Sequence, residues 1–230
     1  MEQEKRFRHE LKYLIPYADY FAMRNRLRLV MKNDPHTSPD GTYRVRSIYF
    51  DNISDKALRE KAAGISKREK FRIRYYNDDF SFITLEKKMK TGSLCLKYNA
   101  QVTGEECRRI ICGDLEWMRV HEQELVRELY AKMRCQLLKP RVLVSFLREP
   151  YVYAAGNVRI TFDSEIRTSL FQREFLTDKI SDISASDNPG DMILEVKYDA
   201  FLPEIIQDLI QTPGIRRQAF SKYCVCRRFG

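Results

Sequence analysis

Lys67 to Thr103 reads KREKFRIRYYNDDFSFITLEKKMKTGSLCLKYNAQVT. Side chains alternate across a β-strand, so residues two apart share a face. Lys70, Arg72 and Arg74 therefore share one face, with Phe71, Ile73 and Tyr75 on the other. Glu86, Lys88 and Lys90 repeat the arrangement against Leu85 and Met89. Asn77-Asp78-Asp79 and Thr91-Gly92-Ser93 supply turns, so the spacing predicts an antiparallel meander of strands at about 67–76, 80–90 and 94–103. Near the C-terminus, Glu195 and Lys197 alternate with Leu194, Val196 and Tyr198 in the same way. A half-exposed sheet explains one such strand. Several in one chain open a second reading, in which the cationic faces line a common concavity that holds a polyanion.

Further out, residues 8–15 read as a short strand with Glu10 and Lys12 on one face. Pro16 then opens a helix to about Met31, because Tyr17, Tyr20, Phe21, Leu27 and Met31 follow helical spacing. Asn33 to Gly41 is a loop, Tyr43 to Asp51 a strand, and Ser54 caps a short helix ending before Gly64. Residues 105–134 read as helical, with Trp117, Leu125, Leu129 and Met133 as the apolar stripe. Pro140 to Val152 and Val158 to Asp163 form a hairpin around Ala155-Gly156-Asn157. The segment 178–190, closed by Pro189-Gly190, is a loop before the last strand, Met192 to Tyr198. A helix at Pro203 to Ile210 and a basic tail at Ser221 to Arg228 complete the chain. About eight mostly antiparallel strands with inserted helices make an α+β fold. Closing them into a β-barrel removes exposed edges. With no repeat or low-complexity linker, residues 1–230 are expected to form one domain.

Forty-one Lys and Arg against 32 Asp and Glu give a formal charge of +9, which favours anionic partners: nucleic acid, an anionic membrane or phosphate-rich small molecules. No apolar run reaches the roughly 18–20 residues of a membrane span, and the charged start offers no signal-peptide core. A cytoplasmic location is therefore expected. The six cysteines show neither a CxxC pair nor zinc-ligand spacing, so free thiols are expected. P-loop, GxGxxG, HExxH and protein-kinase signatures are all missing. The three histidines, His9, His36 and His121, lie in no setting that suggests a nucleophilic triad. What remains is an excess of cations. Arginine donates two parallel hydrogen bonds to phosphate and lysine adds a point charge. A carboxylate on such a face, Glu195 beside Lys197, either pairs with a cation or binds a divalent metal that bridges phosphate oxygens.

Seven segments in order carry a resemblance: Arg8 to Tyr13, Ser47 to Asp51, Lys70 to Tyr75, Leu85 to Lys88, Arg159 to Asp163, Ile193 to Tyr198 and Ser221 to Tyr223. Together they resemble the VTC polyphosphate polymerase domain. That family belongs to the triphosphate tunnel metalloenzymes, relatives of the CYTH phosphatases and class IV adenylate cyclases. The resemblance covers nearly the whole chain and implies an antiparallel barrel whose interior binds a triphosphate and Mn²⁺ or Mg²⁺. It implies transfer of the ATP γ-phosphate to a growing polyphosphate chain. By position, Lys12, Arg72, Arg74, Lys88, Arg148, Arg159 and Lys222 would hold the phosphates and carry the reaction. Glu195 would carry the metal with Lys197 beside it, and Arg46 and Lys61 would add to the tunnel wall. Many hydrolytic relatives begin with an ExExK strand. Here Glu10 and Lys12 match, but Arg8 stands in the first glutamate's place, which tilts the reading from hydrolase toward polymerase.

The alternatives are a tunnel triphosphatase acting on inorganic or nucleoside triphosphate, and a non-catalytic polyphosphate or nucleotide sensor. Specific nucleic-acid binding is disfavoured, because no run of exposed aromatics interleaves with Arg and Gly. The expected partners are ATP and polyphosphate. Any membrane attachment would come through a partner protein.

Overall fold

The computed structural model describes residues 8–229 apart from positions 93, 171, 178, 187, 189 and 214. Ser93 and Pro189, assigned above to turns, and the charged start before Arg8 lie outside the described residues.

The chain runs β1 (His9–Pro16), α1 (Tyr17–Leu27), β2 (Lys32–Asn33), β3 (Tyr43–Asp51), α2 (Lys56–Ala62), β4 (Lys67–Tyr76), β5 (Asp79–Thr91) and β6 (Leu94–Val102). It continues with α3 (Gly104–Cys112), α4 (Glu124–Cys135), β7 (Lys139–Tyr153), β8 (Val158–Ser169), β9 (Ile183–Ser184), β10 (Asp191–Tyr198), α5 (Glu204–Leu209) and α6 (Lys222–Phe229). All pairings are antiparallel, in the order β1-β10-β8-β7-β3-β4-β5-β6, with β2 added to β7 and β9 to β8. The α+β class is as expected. The ring is not closed by hydrogen bonds, however. Among the described residues no strand pairing joins β1 to β6.

Three register shifts, at Tyr49/Phe50, Arg74/Tyr76 and Ser145/Leu147, curl the sheet. The convex face carries two apolar layers. Ile48, Phe71, Ile73, Tyr75, Ile83 and Leu85 pack under α3 and α4. Ile160, Phe162, Leu194 and Val196 pack under α1 and α5 through Met23, Leu27 and Ile206. On the concave side, α6 fills part of the hollow, where Tyr223 and Cys226 meet Tyr43, Tyr49, Val144 and Phe146. The expected basic tail is thus an ordered helix, because its apolar residues have a face to cover.

The long helix expected over residues 105–134 is broken. Gly113, at φ 83°, ends α3, a 3-10 turn spans Glu116–Val120, and α4 follows. Only a residue tolerant of positive φ ends a helix this way at little cost. The α2 cap also differs from expectation. Asp51 accepts from the Ala57 and Leu58 amides at 2.9 and 3.2 Å, and Asn52 accepts from Lys56 N at 3.0 Å, so these residues replace Ser54 as the cap. The Asp51 carboxylate also accepts the Tyr223 hydroxyl at 2.5 Å and so ties α2 to α6. Among the described residues no helix is long and apolar enough to cross a membrane.

Candidate functional site

The hollow of the sheet holds a cavity of about 500 Å³. Its walls are the inner faces of β1, β10, β7, β3, β4 and β5, with α2, α6 and the segment 217–221 over the opening. That segment follows the free edge of β1: Gln218 N donates to Lys12 O at 2.8 Å, and Arg217 bridges to Tyr13. Twelve Lys and Arg side chains line the cavity against three glutamates. Unpaired charge of one sign in a confined space is costly, and a bound polyanion relieves it.

Two strands set the centre. In the β1–β10 register Glu10 lies opposite Lys197 and Lys12 opposite Glu195, so each cation meets a carboxylate. Lys12 Nζ is 3.0 Å from Glu10 and 3.4 Å from Glu195. Lys197 Nζ is 2.5 Å from Glu195, and Lys88 Nζ reaches Glu10 at 2.8 Å from across the β1–β6 gap. Burial alone would raise Glu10, but Lys12, followed by Lys88 and Lys197, brings it down to about 2. Burial acts the same way on Glu195, and Lys197 and Lys12 hold it well below the usual carboxylate range. Both carboxylates are therefore ionised at neutral pH.

Two arginine groups flank this centre. Arg148 forms a bidentate pair with buried Asp163, at 2.6 and 2.7 Å, and Lys222 Nζ reaches the same carboxylate at 2.5 Å. On the opposite wall buried Glu86 accepts from Arg72 at 2.7 Å, from Arg74, and from Lys97 at 2.7 Å. Arg72 also donates to the Tyr49 hydroxyl at 2.9 Å. These carboxylates fix the guanidinium planes in a low-dielectric hollow before any ligand arrives. Burial pushes the pKa of Lys97 down to about 8, although Glu86 pulls the other way.

The structure brings Lys12, Lys61, Arg72, Arg74, Lys88 and Arg148 to one cavity, together with Lys197, Lys222 and Glu195. Two expected residues are not in its wall. Arg46 lies on the convex side, because alternation along β3 turns Ser47 inward opposite Arg74 and leaves Arg46 opposite Tyr75, where it pairs with Asp78. Arg159 shares the inner row with Thr161 and Asp163 but sits at the end of the strand, held by Asp34 at 2.8 Å and the Tyr43 hydroxyl at 2.9 Å. The sequence reading missed Arg68, Lys97 and Arg217. Lys97 was legible in the alternation of β6, since it lies directly opposite Lys88. Arg217 sits in a segment without periodicity, and only the folded chain brings it to β1.

Among the described residues no group of three or more His, Cys, Asp or Glu forms a metal cage. Glu10 and Glu195 nonetheless fit a hard divalent cation, since Mg²⁺ binds through one or two carboxylates and completes its shell with water and phosphate oxygens. Thr161, the cross-strand neighbour of Glu195, adds a buried hydroxyl without a hydrogen-bond partner.

The model of the VTC domain matches residues 7–229. The chain belongs to the VTC domain family. No curated protein sequence matches significantly. Among solved structures, the VTC domain is similar to an adenylyl cyclase-named protein of Hippeastrum whose dominant activity is that of a triphosphatase, at TM-score 0.59 and 12% identity over 97% of this chain and 96% of that one. It also matches a protein assigned as an adenylate cyclase from Bacillus halodurans, at TM-score 0.50 and 15% identity over 90% and 87% of the two chains. A third, similarly assigned, from Vibrio parahaemolyticus gives TM-score 0.51 and 10% identity over 96% and 98%. At these identities the likeness shows the fold: the VTC domain here has the tunnel architecture of these proteins.

Proposed function

We propose that this VTC domain is a polyphosphate polymerase that moves the γ-phosphate of ATP onto the end of a polyphosphate chain. The observation that carries the reading is the cavity wall, with twelve cations against three glutamates. In the reaction the bond between the γ-phosphorus and the β-bridging oxygen breaks. A bond forms to a terminal oxygen of the chain, and ADP leaves. Such a transfer needs in-line positioning and neutralisation of charge more than covalent help from the protein.

Arg72, Arg74 and Arg148 would donate to the phosphate oxygens, and Glu86 and Asp163 hold them oriented for it. Lys12, Lys88, Lys197 and Lys222 would add point charges around the reacting group. Mn²⁺ or Mg²⁺, bound at Glu195 with Glu10 beside it, would supply further positive charge to the phosphate oxygens.

A triphosphatase is the second reading. The ionised Glu10–Glu195 pair favours it, as does the activity of the Hippeastrum relative. Arg8 weighs against it: a cation stands where hydrolytic relatives carry their first glutamate, and it is turned to Asp199 at 2.7 Å. Incubation with ATP and Mn²⁺, followed by gel analysis of polyphosphate and a parallel assay of free phosphate, separates the two. Long chains with ADP are expected. Free phosphate without chains would establish the hydrolase instead.

A further inference from the structure

Tyr49 stands in the cavity wall, and the transfer described above makes no use of its hydroxyl. Its ring packs beside that of Tyr223, with centroids 5.3 Å apart. The phenol oxygen accepts from Arg72 Nη1 at 2.9 Å, and its own proton has no acceptor among the described residues. Three other buried tyrosines are placed differently. Tyr223 donates to Asp51 at 2.5 Å, Tyr151 to Glu149 at 2.6 Å and Tyr75 to Phe175 O at 2.5 Å. Those hydroxyls tie elements of the fold together, whereas the Tyr49 hydroxyl faces the hollow.

The charges around Tyr49 bear on its reactivity. Burial alone would raise its pKa, but Arg72 and then Lys70 bring it below the ordinary phenol value, and Lys222 adds to them. Burial leaves Tyr75 and Tyr223 above that value. A phenol lowered by neighbouring cations is activated as a nucleophile, and such groups gather at reactive sites. With an ordinary pKa of about 10, a phenol is also a better leaving group than an alkoxide, so a phosphate placed on it can be passed on.

Arg72 joins this oxygen to the phosphate site. Glu86 takes its Nε and one N–H of Nη2, at 2.7 and 2.6 Å, and Tyr49 takes one N–H of Nη1. Each terminal nitrogen keeps a second N–H. A phosphoryl group received there lies one guanidinium group away from the phenol oxygen, with Lys70 and Lys222 in the same wall to neutralise it.

We infer that Tyr49 takes the γ-phosphoryl group of ATP when no chain end is in place, and hands it to the first phosphate acceptor that enters. In the first step Tyr49 Oη attacks the γ-phosphorus and the bond to the β-bridging oxygen breaks. ADP leaves with the electron pair, and the phenolic proton goes to solvent. In the second step a terminal oxygen of the incoming phosphate attacks the same phosphorus. The P–Oη bond breaks, and the phenol oxygen keeps the electron pair and regains a proton from solvent. The inference rests on the polymerase reading and gives it a way to start without a chain.

The test is incubation of the full chain with γ-labelled ATP and Mn²⁺, without added polyphosphate, followed by denaturation, acid treatment and peptide mapping. Label is expected on Tyr49, surviving acid as an aryl ester does and a lysine phosphoramidate does not. A chase with unlabelled tripolyphosphate before denaturation should remove it. Tyr49→Phe, which keeps the ring, should carry less than about a tenth of the label. Tyr43→Phe should keep the label, since Tyr43 also accepts from an arginine but does not line the cavity. Synthesis from ATP alone should start about tenfold more slowly in Tyr49→Phe, and added tripolyphosphate should restore it. A wild type without label on Tyr49, or with label that the chase leaves in place, overturns the inference. If that protein still makes chains, the polymerase reading stands. Label that chases, with free phosphate and no long chains from ATP, supports the relay and overturns the polymerase. Neither label nor chains overturns both.

Discussion

Glu195 is buried between two ammonium groups, with Lys197 at 2.5 Å and Lys12 at 3.4 Å. A metal ion can use this carboxylate only when the lysines turn to another anion, and phosphate is that anion. Metal and phosphate should therefore favour each other's binding, with the same coupling in both directions. Glu195→Gln frees both lysines. Tripolyphosphate should bind this variant more tightly than wild type in the presence of a chelator, and Mn²⁺-dependent turnover should be lost. Weaker binding under the chelator, or full turnover with Mn²⁺, would remove Glu195 from the metal site.

Lys97 gives the pH dependence. Its pKa of about 8 lies below the ordinary lysine range, so it gives up its proton as pH rises through that value. If its charge helps hold the triphosphate, kcat/KM should decline above pH 8, and Lys97→Arg should move that limb to higher pH. An unchanged limb in the variant would assign it to another group. Much of this was legible residue by residue. Alternation alone placed Arg72, Arg74, Lys88 and Glu195 on inner faces. The same rule, applied to β3, turns Arg46 outward, against the place that the resemblance implies for it.

Among the elements, α2 and α6 share one support. The Asp51 carboxylate caps α2 through two amides and accepts the Tyr223 hydroxyl of α6. Asp51→Asn keeps the shape but weakens the charge-assisted bonds, at a cost of about 1–3 kcal/mol. Urea denaturation should register that loss. Affinity for tripolyphosphate should fall as well, because Lys61 and Lys222 ride on the two helices. An unchanged affinity would mean that the helices hold position without the link. This support could not be read in advance. Asp51 looked like the last residue of a strand, and its partner Tyr223 lies 172 residues further on. The break at Gly113 was readable from the glycine itself, since every residue of the apolar stripe, from Trp117 to Met133, lies beyond it.

At the scale of the whole molecule, acid sensitivity follows from the central carboxylates. Glu10 titrates at about 2 in the folded protein, below its unfolded range. Its contribution to stability is present above that unfolded range of about 4.3 and is lost as pH falls toward 2. A denaturation series from pH 7 to 2 should show this decline, and Glu10→Gln should flatten it. The eight main strands and their antiparallel character were legible because each strand announces its faces, whereas the two-residue strands β2 and β9 were too short to show in the pattern. The missing closure was not legible either, since an unpaired edge leaves no mark in a local pattern.

That unpaired edge bears on how the molecule admits its ligand. Between β1 and β6 no strand ladder forms among the described residues: Arg217 and Gln218 touch the edge of β1, and Lys88 of β5 reaches Glu10 across the opening. A zipped ladder must break many bonds in concert to part, whereas a charged clasp yields to salt or to a competing anion. An incoming polyanion is such a competitor. A long strand could therefore be laid in through the side of this molecule, like a cord into a hook, without its tip having to find the hole.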